Sequence, residues 1–235
     1  MTATLPPAGP PVASMDDAIA RMEAIGQTLP ASDGLACFNR MYLEVTKEVQ
    51  QRIQADFFID AAFMAHLDVV FANLYFAAVD SLSTIPVACP TAWQPLLEGR
   101  SKPGIEPVQF ALAGMNAHIN HDLPLAVVTA CTDLGCGPDD DGHHADYQRV
   151  DALLDASEQG IRQSFESGVA LAVDHDANAV ETLIGNWSIT AARDVAWDTA
   201  VALWRVRDIT GVRDLLMNAL GRTVAMASRG LLVGL

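Results

Sequence analysis

From residue 15 onward the apolar residues recur at intervals of three and four, the spacing of one face of an α-helix. Sustained alternation, Asn-Gly hairpin turns and a G-x-G-x-x-G loop are missing from the sequence. Ser14 or Asp16 caps a first helix that runs through Ile25 and breaks between Gly26 and Asp33. A second helix spans residues 34–54, with Leu35, Phe38, Tyr42, Val45 and Val49 near one face. Asp60 caps a third, which continues to Leu82. Five prolines between Ser83 and Pro107 forbid one regular helix there and predict a long connection, with a short helix in Thr91–Leu97. A fourth helix covers 107–134 and is interrupted at Pro124. A polar loop (GCGPDDDGHHAD) follows it, and then helices near 146–167, 176–187, 190–207 and 210–229. The predicted fold is all-α: a single-domain bundle of about seven helices over residues 15–235. A proline-rich, flexible or extended segment, residues 1–14, precedes it.

Charge narrows the partners. The 235 residues carry 14 Lys and Arg against 29 Asp and Glu, a formal net charge of −15. Neutralising phosphates needs clustered cations, so a nucleic-acid groove is excluded, and docking on anionic lipid is disfavoured. No run of apolar residues reaches the roughly 18 of a membrane span, and the N-terminus lacks the basic and hydrophobic regions of a signal peptide. The expected location is cytoplasmic. Four cysteines are too few for a disulfide scaffold of this length. Cys37 and Cys89 read as small buried hydrophobes. Cys131 and Cys136, spaced C-x4-C, are open to a bridge, half a metal site or plain burial. Burial is preferred because no second ligand pair of matching spacing follows.

Polar residues inside apolar helices are the informative ones, because burying them unpaired costs about 1–3 kcal/mol each. The fourth helix places Asn116, His118, Asn120, His121 and Asp122 between two apolar stretches. His118 and Asp122 are spaced i,i+4 and meet on one face, as do Asn116 and Asn120. Pro124 has no N–H to give the Asn120 carbonyl, so a kink coincides with the cluster. The plainer alternative is a helix that ends at Asp122, which then caps a second helix with Pro124 in its first turn and leaves His118 a satisfied core histidine. In the third helix Asp68 and Tyr75 share an inward stripe with Phe71, while His66, Asn73 and Asp80 share a more exposed one. A salt bridge from Asp68 to an arginine such as Arg40 is the plainer alternative. Trp197 and Trp204, two turns apart, read chiefly as core. Asp139, Asp140, Asp141, His143 and His144 read as a solvated loop, and His175 as a helix-cap neighbour.

The stretches CFNRMYLEVT, LDVVFANLYFAAVD and FALAGMNAHINHDLPLAVV resemble an uncharacterised bacterial all-helical family, over roughly residues 16–230. That resemblance implies a fold and no chemistry. A fainter one, to the zinc-dependent phospholipase C and P1 nuclease family, rests on His118-x-x-x-Asp122 followed by Pro124. The chain lacks that family's next histidine and N-terminal tryptophan ligand, which counts against a three-metal site.

These residues point to an enzyme acting on a small organic molecule in a pocket between helices. It would work by cyclisation, isomerisation, elimination or hydrolysis, with a biosynthetic pathway as its possible setting. His118 is the expected general acid/base, oriented by Asp122 or Asp68, with its pKa raised by Asp122. Asn116, Asn120, Tyr75, Tyr42 and Trp197 are the expected substrate contacts. No cofactor is required in this reading. One alternative is a Zn²⁺- or Fe²⁺-dependent hydrolase using His118, His121, Asp122 and Asp68. Another is a non-catalytic small-molecule carrier.

Overall fold

The computed structural model describes residues 8–82, 88–140, 142–154 and 188–234, and these contain helices and no strands. The order is α1 (Met15–Thr28), α2 (Gly34–Gln54), α3 (Ala61–Asp80), α4 (Gln94–Gly99) and α5 (Pro107–Ala117). A π turn (His118–Asp122) leads into α6 (Leu123–Leu134). Then come α7 (143–154), α8 (Ile189–Val206) and α9 (Thr210–Leu231). The all-α bundle is as the periodicity predicts. The helix predicted over 176–187, His175 and the end of the one predicted over 146–167 lie outside the described residues.

Each boundary has a local cause. Ser14, Asp33, Asp60 and Ser188 cap α1, α2, α3 and α8 by accepting a backbone N–H with their side chains. Gly26 does not end α1, which runs two residues further to Thr28. The residue that follows the extension, Leu29, is buried in the core. Of the lead-in, residues 1–7 lie outside the described residues. The part that follows is tied down: Val12 donates to Asn73 Oδ1 and accepts from Asn73 Nδ2.

The centre of the bundle is the rod formed by α5, the π turn and α6. Ten consecutive residues of α5, Val108 to Ala117, are buried, so this helix is covered on every side. α5 packs against α2 and α9, and α6 packs against α3 and α8. α3 is long and apolar enough by composition to cross a membrane. Here it packs against α1, α2 and α6 with half of its residues buried.

Close approach of α2 and α5 depends on glycine. A Cβ on Gly114 would sit 2.5 Å from ring carbons of Phe38. Phe38 in turn makes edge contacts with Tyr75, Trp93 and His118. The ring has nowhere to retreat, so Gly114→Ala should destabilise the protein by about 1–3 kcal/mol. Urea denaturation measures this, and a change below about 0.5 kcal/mol would show that Phe38 moves aside freely.

Candidate functional site

Pro124 explains the shape of the rod. It cannot return an N–H to Asn120, and the helix widens by one residue instead of breaking. The Leu123 N–H reaches back to the His118 carbonyl in the i→i+5 pattern of a π turn. The kink expected from the sequence is thus a local widening, and His118, Asn120, His121 and Asp122 lie in it, with Asn116 just before it in α5.

Asp122 organises this turn. Its carboxylate is 2% exposed and meets three ring nitrogens. Trp93 Nε1 donates to Oδ2 at 2.8 Å. His118 Nδ1 lies 3.2 Å from Oδ2, and His121 Nδ1 lies 2.7 Å from Oδ1. Burial alone would raise the Asp122 pKa, but the hydrogen bonds from His118 and His121 outweigh it and hold the carboxyl below its usual range. An ionised Asp122 requires a proton on Nδ1 of His118, which leaves Nε2 with the lone pair. Nε2 is buried and has no hydrogen-bond partner among the described residues.

Aromatic rings fix the imidazole. Phe71 stacks on it at 3.5 Å with the planes 5° apart, and Tyr42 contacts it at 4.3 Å. This apolar enclosure lowers the His118 pKa, because burial outweighs the hydrogen bond and charge of Asp122. The sequence suggested the opposite direction. Counting charges alone omitted the cost of desolvating an imidazolium, which dominates here.

His118 stands on the wall of a cavity of about 80 Å³, room for roughly three water-sized groups. Met41, Val45, Leu67, Met115 and Ile119 represent its mainly apolar lining. The polar lining, among the described residues, is Tyr42, Asp68, His118, Tyr147 and Arg193. Asp68 is half-buried and lines the cavity, and its Oδ2 has no hydrogen-bond partner among the described residues. Desolvation raises its pKa to about 7, against a smaller opposing effect from Arg193. Arg193 cannot do more because its guanidinium is already engaged. Nε donates to Asp151 at 2.6 Å, and another nitrogen donates to the Tyr147 carbonyl at 2.6 Å. Arg40, the partner considered from the sequence, is not the cation that acts on Asp68. The Tyr42 hydroxyl sits beside Thr46 without a hydrogen bond of ordinary length. Burial, then Asp68, raise its pKa well above the usual phenol value, so it remains a donor.

The other candidates lie away from the cavity. Asn116 Nδ2 donates to the Val224 carbonyl and to Ser228 Oγ, fastening α5 to α9, and Asn120 donates to Asn116 Oδ1. The Tyr75 hydroxyl donates to Asn39 Oδ1 at 2.9 Å. Trp197 stacks on His144 at 4.6 Å. His66 pairs with Asp133 and Asp80 with Arg21. The metal set His118, His121, Asp122 and Asp68 is not assembled: both histidines spend Nδ1 on Asp122, and Asp68 lines the cavity without joining them. Among the described residues, the group close enough to share an ion is Cys131, Cys136 and His143. The loop holding His143 is not simply solvated, since His143 is 4% exposed and stacks on Phe63 at 3.8 Å. All four cysteines are free. Trp93, the third partner of Asp122, was invisible to helical spacing because it comes from the proline-rich connection, 29 residues before its partner.

The fold and site define an all-α bundle built around a buried aspartate–histidine pair at a π turn. The chain belongs to DUF5995, a family of unknown function, whose sequence profile matches residues 15–234. Neither a curated protein nor a solved structure matches it.

Asp68 supplies a test of these electrostatics. Its folded pKa of about 7 lies above the ordinary 3.8, so the folded state holds the proton more tightly. The contribution of Asp68 to stability is therefore fully present below about pH 4 and is lost as pH rises to about 7, by up to about 4 kcal/mol. Asp68→Asn removes this dependence. Urea denaturation of both proteins at several pH values should show the variant gaining on the wild type across that window. A constant difference would contradict the assignment.

Proposed function

We propose that this protein is an enzyme that moves protons on a small, largely apolar organic molecule bound in the cavity between α2, α3, the π turn and α7. The observation that carries this reading is His118: Nδ1 is committed to Asp122, and Nε2, on a side chain of the cavity wall, has no partner among the described residues. A buried nitrogen without a partner costs about 1–3 kcal/mol unless something it binds repays it.

The roles follow from the protonation states. His118 is neutral at physiological pH and serves as the base through Nε2, with Asp122 holding the tautomer and stabilising the imidazolium as it forms. Asp68 retains its proton up to about pH 7 and serves as the acid. Tyr42 offers an O–H to an oxygen that gains negative charge. The apolar wall excludes water and selects a substrate with few polar groups. Isomerisation, cyclisation and elimination suit this arrangement, and the cytoplasm suits a chain with free thiols.

The test is ligand-observed NMR in D₂O with a panel of small aliphatic carbonyl compounds, which reads both binding and exchange of the protons next to the carbonyl. Hits should bind saturably and lose affinity in Val45→Phe, which fills the cavity. Exchange should fall at least about 100-fold in His118→Ala with binding retained, and should decline as pH rises through about 7 in the wild type. Binding that survives with no exchange above that of His118→Ala would make the protein a carrier, and binding insensitive to Val45→Phe would place the site elsewhere.

A further inference from the structure

At its other end α6 closes a second cluster. Gly135 takes the left-handed conformation at φ 68° and ψ 30°, and the Cys136 N–H returns to the Cys131 carbonyl at 2.9 Å. This helix-ending turn folds the chain back so that Cys136 stands beside Cys131. The following loop brings back His143 at the start of α7. One side-chain atom from each of the three residues lies within 4.8 Å of the other two. Cys131 is fully buried and His143 nearly so.

We propose that Cys131, Cys136 and His143 bind a Zn²⁺ ion, with water in the fourth position. Two thiolates and one imidazole form a soft, tetrahedral donor set suited to zinc. In a tetrahedral site with Zn–S bonds of about 2.3 Å the sulfurs are roughly 3.8 Å apart, so ligand atoms within 4.8 Å need only small side-chain rotations. The imidazole is held in place: Phe63 stacks on its face, Nδ1 lies 3.0 Å from the Gly137 carbonyl, and Nε2 lies 3.4 Å from Asp60 Oδ2. Whichever nitrogen ligates the ion, the other keeps an oxygen partner to orient the ring. Binding releases the two thiol protons and forms two Zn–S bonds and one Zn–N bond, with no redox change.

The ion would tie the end of α6 to the beginning of α7. Tyr147, Val150 and Leu154 of α7 line the central cavity, so the metal would brace one of its walls. The site does not depend on the proton-transfer reading, and its test measures metal alone.

Full-length protein, treated with chelator and gel-filtered, is titrated with Zn²⁺ against a chromophoric chelator and, separately, with Co²⁺. We expect about one Zn²⁺ per chain and a thiolate-to-cobalt charge-transfer band in the near ultraviolet. Cys136→Ser and His143→Ala should lose most of the zinc, while Cys89→Ala keeps it. Wild-type spectra stand on their own if a ligand variant fails to fold. Absence of the cobalt band in the wild type would overturn the proposal. So would two free thiols in place of four in unreduced, denatured protein, since that count means a Cys131–Cys136 disulfide.

Discussion

The structure turns on keeping one carboxylate charged inside an apolar core. A buried aspartate alone would take up a proton or force the helix apart, because the cost of desolvating an ion is several kcal/mol even after relaxation. Asp122 avoids both through Trp93, His118 and His121, each presenting a ring nitrogen to it. The proline-rich connection delivers Trp93, and the π turn delivers the two histidines. The connection and the interrupted helix therefore serve the same atom pair. The chain between α3 and α5 is more than a loop, since its tryptophan is fully buried and closes this network.

The network also determines what His118 can do. A histidine with two satisfied nitrogens in a core is inert, and an exposed one titrates near its ordinary pKa. Here one nitrogen is anchored, the ring is clamped between Phe71 and Tyr42, and the other nitrogen is unpaired among the described residues. Asp68, in the wall of the same cavity, is likewise pushed toward neutrality by burial. Two titratable groups in one apolar space are thus both driven toward the neutral form, the condition that the proposed acid and base roles require.

Most of the architecture was legible in the sequence because it follows from periodicity and caps. α2 occupies 34–54 as predicted, Asp60 caps α3, and Pro124 marks the disturbance in the central rod. The fourth helix also showed that His118 and Asp122 touch, since i,i+4 spacing is local. What depends on contacts between distant segments was hidden. Nothing in local spacing says that Asn116 spends its amide on α9, or that Tyr75 bonds Asn39 and turns away from the cavity. The direction of the His118 shift was missed for a related reason, because desolvation is a property of the assembled core and not of neighbours along one helix. His143 was read as solvent-facing among polar neighbours, yet the turn at Gly135 and the loop after it carry the ring inward onto Phe63.

The central claim is the state of one ring, and it can be read directly. Nitrogen-15 NMR of histidine-labelled protein reports both the tautomer and the titration of His118, assigned by comparison with His118→Gln. The account predicts a neutral imidazole protonated at Nδ1 at pH 7, a midpoint below the ordinary 6.5, and loss of the Nδ1–H preference in Asp122→Asn. An Nε2–H tautomer at pH 7, or a midpoint above 6.5, would contradict it.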